Sequence, residues 1–221
     1  MKKLLSIILV IALLFLLLTA CSNELQKSNP SISDDDPTTT ISTEAKHTTE
    51  VESLPLPQDS IEFSFLSGAG AWRTIITLNQ NGIFTGWYLD SEMGETGEDY
   101  PNGSAYTSTF SGKFDNIEKI NEYSYKMTLT DVKTEKAVGE EWIENKIRYV
   151  ATEPYGLNDP INNQDCTQFI LYLPNTPIDQ VPEEFLTWWP YRYTQETSPK
   201  ATLSCYGILN VTTNYGFFSE P

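Results

Sequence analysis

The chain has 221 residues, 39% of them hydrophobic and 20% charged, with 14 Lys and Arg against 30 Asp and Glu for a formal charge of −16. That length, less a leader, accommodates one ordinary domain and a tail. So acidic a chain repels phosphate backbones, which excludes nucleic acid as a partner, and it gains nothing from an anionic membrane surface unless a lipid does the anchoring.

The chain opens with Lys2 and Lys3, continues through a charge-free apolar run from Leu4 to Leu18, and closes that run with Leu18-Thr19-Ala20-Cys21, the order of a signal peptide. The run is about fifteen residues long, whereas a helix needs roughly twenty to cross the hydrocarbon core. The tetrapeptide resembles the lipobox of bacterial lipoproteins. That resemblance implies a signal peptide over 1–20, diacylglycerol on the thiol of Cys21, cleavage before it, and acylation (palmitate) of the new amino group. Each buried methylene contributes about 0.8 kcal/mol and a single chain binds only reversibly, so two or three chains on Cys21 are a firm anchor. The implied location is the extracytoplasmic face of a cell membrane.

Residues 22–60 carry two Lys against eight Asp and Glu amid Ser, Thr and Pro, with almost no aromatic residue. Such a segment cannot bury enough apolar surface to offset its ordering entropy, and it reads as a disordered tether. As a flexible coil it spans roughly 35 Å and, drawn out, about 120 Å. His47, the only histidine in the chain, reads as a solvated residue of that tether.

From Ile61 the composition turns aromatic and β-branched, and a domain over 61–221 is expected. Phe63 and Phe65 alternate with polar neighbours, Ser67 to Ala71 is a small-residue turn, and Trp72, Ile76 and Leu78 share a face. Asn79-Gln80-Asn81-Gly82 signals a hairpin, returning through Phe84 and Tyr88 with Gly86 leaving space between them. After a loop over 90–103, a strand runs through Tyr106, Phe110 and Phe114. The clearest alternation follows: Tyr123, Tyr125, Met127 and Leu129 on one parity, with polar residues on the other. One face buried and one wet is an antiparallel habit. Further strands are expected near Ile147 to Tyr149, Phe169 to Leu173 and Leu203 to Val211. Pro182 to Trp189 is a helix of two turns at most, with Pro and acids at its start and Pro190 as its stop.

About eight antiparallel strands joined mainly by short turns predict an all-β fold: an up-and-down barrel or strongly curled meander with one short helix, or alternatively a two-sheet sandwich. Gly70-Ala71-Trp72 resembles the G-x-W of lipocalin-type barrels. The runs SGAGAW, NQNGIFTGWYLD, FSGKF, EPYGL and YLPNTP resemble uncharacterised exported proteins of Gram-positive bacteria, a likeness that implies no activity and no site residue.

Few constellations point to chemistry. Asp90, Glu92, Glu95, Glu98 and Asp99 gather five carboxylates on one glycine-containing loop, a set of hard oxygen ligands suited to Ca²⁺ but without EF-hand spacing; the other reading is a solvated acidic loop. Cys166 and Cys205 form an even pair in an oxidising compartment, either a disulfide or two buried thiols. The domain has no histidine, so histidine-dependent triads are excluded from it, and no motif asks for a cofactor. Glu140-Glu141 and Glu183-Glu184 keep a carboxylate-dependent hydrolase as an alternative. The adjacent Trp188 and Trp189 cannot easily both point inward and are the candidate ligand platform. The expectation is a lipid-anchored surface protein whose non-catalytic β domain binds a small molecule, glycan or protein, with an assembly accessory lacking a ligand as a further alternative.

Overall fold

The computed structural model describes residues 49–50, 53–158, 165–192 and 200–221, which lie in one compact unit, Glu44–Pro221. Residues 1–20, expected to be a signal peptide, and Cys21 and His47 lie outside the described residues. In chain order the strands are β1 Thr49–Glu50, β2 Ser60–Leu66, β3 Trp72–Asn79, β4 Ile83–Glu92, β5 Ser104–Lys119, β6 Ser124–Thr134, β7 Glu141–Glu144, β8 Ile147–Ala151, β9 Gln168–Tyr172, β10 Gly207–Asn210 and β11 Gly216–Phe218. A 3-10 turn, Ile178–Gln180, and a single α-helical turn, α1 Glu183–Leu186, lie between β9 and β10.

Eight strands close a barrel in the order β2-β3-β4-β5-β6-β9-β10-β11, every pairing antiparallel, with β11 returning to β2 at Phe218 and Ser64. The Ser64 hydroxyl donates to the Phe218 carbonyl across that seam (3.3 Å). Apart from the β7–β8 hairpin inserted between β6 and β9, neighbours in sequence are neighbours in space, the up-and-down arrangement expected from short turns. The first hairpin shows how the turn residues enforce this. Asn79 Oδ1 accepts from the amides of Asn81 and Ile83 (2.9 and 3.0 Å). Gly82 has φ +79°, and a Cβ there would lie 2.1 Å from the Phe114 carbonyl oxygen, so only glycine fits.

Eight strands enclose an interior just wide enough for side chains to fill, and here phenylalanines fill it. Phe63, Phe65, Phe84, Phe110, Phe114, Phe169 and Phe217 are at most 2% exposed, alongside Ile76, Leu78, Met127 and Leu171. Large and small residues interlock across paired strands: Phe110 lies over Gly86 and Phe84 over Gly112, each ring within 2.8 Å of where a Cβ would stand. The space left by Gly86 is thus taken by a ring from the neighbouring strand. Both ends are stoppered. Leu54 and Leu56 are buried at one end, where the Leu54 amide donates to the Gln80 carbonyl (2.8 Å); Trp72, Tyr155, Trp188 and Tyr215 surround Phe65 at the other. Packed chain therefore begins before Ile61, because two leucines in an otherwise polar segment suffice to plug the barrel.

A second core lies on the outside of β9, β10 and β11. Phe169, Leu171, Ile208 and Phe217 face inward, while Tyr172, Leu209 and Phe218, of opposite parity, pack against Val181, Phe185, Leu186, Trp189, Leu203 and Cys205. These strands are buried on both faces, so they lack alternation. β7 and β8 stand outside the barrel: β8 pairs in parallel with the first part of β5, from Ser104 with Arg148 to Thr107 with Ala151, whereas β6 takes β5 from Phe110 onward. The eighth barrel strand is consequently β11, not the Ile147 segment.

Candidate functional site

Trp188 and Trp189 both pack. Trp189 is 3% exposed in the outer core; Trp188 is half-buried between the two cores, edge-on to Phe65 (4.9 Å between ring centroids) and Tyr215 (5.7 Å). Helical geometry ends after one turn, so the two rings diverge, one onto the barrel wall and one over its rim. Cys166 and Cys205 are buried in different clusters, the first in the barrel core and the second outside it, rather than bridged to one another. Burial pushes the Cys205 thiol up to about 11.

The acidic loop is organised by a cation of the protein's own. Glu95 pairs with Arg148 (2.7 Å) and accepts from the Tyr106 hydroxyl (2.8 Å); the Tyr106 hydrogen bond and then Arg148 hold its carboxyl below the usual carboxylate range. Arg148 also donates through Nε to Ser104 (3.2 Å) and lies over the Tyr100 ring (4.9 Å). Asp90 stands 3.5 Å from the Tyr88 hydroxyl, and Glu92, Glu98 and Asp99 are exposed. Among the described residues no group of three or more His, Cys, Asp or Glu is placed to hold a metal ion. Of the adjacent glutamate pairs, Glu140 pairs with Lys136 (2.5 Å), Glu141 with Arg148 (4.0 Å) and Glu183 with Arg192 (2.5 Å).

The arrangement best suited to contact a ligand lies on the outer wall, where β5 forks. β8 leaves the β5 edge at Thr107 and β6 joins it at Phe110; the Thr152 amide bonds Thr107 and the Glu135 amide bonds Thr109 (2.9 Å each), so the two strands diverge around Ser108. A cleft of about 240 Å³ opens there, lined by Thr107, Thr109, Glu135, Trp142, Glu144 and Tyr149, with Ser108 and Thr152 also on its wall. The hydroxyls of Ser108 and Thr152 are buried and have no hydrogen-bond partner; Ser108 opposes Tyr88 and shares the parity of Phe110, so its side chain turns toward the barrel interior rather than into the cleft. Trp142 and Tyr149 are a cross-strand pair with parallel rings (5.2 Å, 10°), and Lys136 Nζ sits 4.6 Å from the Trp142 ring.

Register puts a wider surface on the same face. In the parallel pair Tyr149 lies level with Ala105 and Ala151 with Thr107; along β5 that parity continues to Thr109, which opposes Trp87, and Ser111, which opposes Thr85. Trp87 in turn opposes Ile75. A hollow of about 490 Å³ covers this part of the wall, and Thr109 and Glu135 line both it and the cleft. Trp87 is 36% exposed, with Arg73 over its ring (4.8 Å). Sequence reasoning passes over these residues because Trp87 sits on the wet parity of its strand and Trp142 in a polar stretch. The available signal was the tryptophans themselves, large apolar rings where a solvated face has no use for them.

No protein-family model, curated protein or solved structure matches this chain.

Proposed function

We propose that the protein is a lipoprotein held by acyl chains on Cys21 at the extracytoplasmic face of a bacterial cell membrane, where its barrel is a non-catalytic binding domain that uses its outer wall. The observation that carries the choice of wall over interior is the packing of the barrel: with phenylalanines at its centre and aliphatic and aromatic stoppers at both ends, a ligand meets the domain from outside. The filled interior would equally suit an accessory with no ligand. The exposed Trp87 and the parallel Trp142 and Tyr149 rings on that wall favour binding, because large apolar rings gathered on a wet face mark interaction sites.

The anchor is tested by labelling with a palmitate analogue. Wild type should incorporate label and Cys21→Ala should not, leaving a slower-migrating precursor; unchanged labelling would overturn the anchor. The non-catalytic reading is tested at Glu135 and Glu144, the carboxylates of the cleft. Hydrolysis of a glycoside by wild type, lost in Glu135→Gln or Glu144→Gln, would contradict it.

A further inference from the structure

We infer that the outer face of β3, β4, β5, β8 and β7 binds an uncharged, linear saccharide, one sugar ring at the fork beside Trp142 and Tyr149 and the following rings across Trp87. The inference rests on the binding reading above and names its ligand class. Three observations carry it.

The first is the chemistry of the face. Aromatic rings alternate there with hydroxyls, Trp87 opposing Thr109 and Thr85 opposing Ser111, while Tyr149 stands on the parity that carries Thr107 and Thr109 along β5. A sugar ring is two-sided in the same sense: its C–H face packs on an indole or phenol and its hydroxyls both donate and accept.

The second is charge. Each tryptophan already has a cation over its ring, Arg73 on Trp87 and Lys136 on Trp142, so a cationic ligand meets its own sign where an aromatic cage would otherwise welcome it. Glu62, Glu135 and Glu144 line the same hollows, so an anionic ligand is repelled as well. A neutral ligand with hydroxyls escapes both.

The third is shape. The cleft, about 240 Å³, is smaller than the roughly 300–1,000 Å³ of pockets for drug-sized ligands and suits one ring. The adjoining hollow of about 490 Å³, which shares Thr109 and Glu135 with the cleft, extends the surface along the wall from the fork. That combination fits a chain gripped at one unit and laid along a wall.

The test uses the full chain in a detergent without sugar head groups, read by tryptophan fluorescence and calorimetry. The probes are glucose, N-acetylglucosamine and their β-1,4-linked tetramers, with glucuronate and choline as charged comparators. A tetramer should bind at least tenfold tighter than its monomer. Trp142→Ala should weaken both at least tenfold, with Trp142→Phe restoring much of the loss, and Trp87→Ala should abolish the gain with length while leaving the monomer unchanged. Leu66→Ala, at an exposed site elsewhere, should alter nothing. Choline or glucuronate binding that is lost in Trp142→Ala, with no saccharide bound, would overturn the saccharide and leave the binding face standing. Saccharide binding indifferent to both tryptophans would overturn the location. Silence of Trp87 and Trp142 towards every probe would overturn this inference together with the binding reading on which it rests.

Discussion

Ser108 and Thr152 each bury a hydroxyl without a partner, and a group left so costs about 1–3 kcal/mol of desolvation. Ser108→Ala and Thr152→Val should therefore stabilise the ligand-free protein by about 1 kcal/mol each, which thermal melts would read as a rise of about 2–4 °C; a fall would mean that the hydroxyls are satisfied by ordered water. Titrating groups divide by sign. Tyr88 and Tyr155 have phenol pKa values raised by burial first, then by Asp90 for Tyr88 and by the Tyr215 hydrogen bond for Tyr155. Their folded values exceed the ordinary value of 10, so the stability they contribute is whole below that pH and is lost as pH rises through the folded value. Glu95 behaves oppositely: its folded pKa is depressed by Tyr106 and Arg148, so its contribution is present above the ordinary carboxylate range and is lost as pH falls through the folded value. In Arg148→Gln the carboxyl of Glu95, followed by NMR, should titrate at higher pH than in wild type. Titration at an unchanged pH would show that the Tyr106 hydrogen bond alone sets the shift.

At the scale of elements, Trp188 and Trp189 depend on the short helix that precedes them. α1 is one turn long, far too short to be stable by itself, and it is held by Phe185, which lies 2.8 Å from where Cβ atoms of Gly207 and Gly216 would stand. Trp189→Ala should cost about 3–5 kcal/mol and Trp188→Ala somewhat less, since it is half-exposed. Chemical denaturation that left both midpoints near wild type would return the pair to the surface. The elements most legible in the sequence were those with one wet face. β6 carries its period of two plainly, and β2, β3 and β4 follow once Asn79 to Gly82 is recognised as a turn. β11 was illegible because Gly216, Phe217 and Phe218 are buried on both faces, which erases alternation over only three residues. β7 was illegible for the opposite reason: Glu141, Ile143 and Glu144 are exposed, and Trp142 is the one residue of the strand that is partly buried. Trp87 and Trp142 were visible as residues but not as a surface, since their common face depends on the parallel register of β5 and β8, and nothing local in the sequence encodes it.

The described part of the chain is a filled barrel wrapped on one side by a second core and extended on another by a hairpin, and the hairpin side offers a ligand both rings and hydroxyls. Closure is thin at one seam, where β11 meets β2 through a single residue pair, and the plug of Leu54 and Leu56 supports the opposite end. A chain starting at residue 53 should therefore fold with nearly the stability of a longer one. A chain starting at Ser60, lacking both leucines, should lose several kcal/mol, on the order of 2–5 kcal/mol per buried leucine removed; equal denaturation midpoints would show the plug to be dispensable. The central claim is that this barrel binds through its wall and not through its centre, and amide chemical-shift mapping during titration with the tetrasaccharides tests it most directly. The account predicts shifts concentrated at Trp87, Thr109, Glu135, Trp142 and Tyr149, with Phe63, Phe114 and Phe169 unmoved. Shifts concentrated at the inner phenylalanines, or at the rim formed by Trp72, Tyr155 and Tyr215, would contradict it.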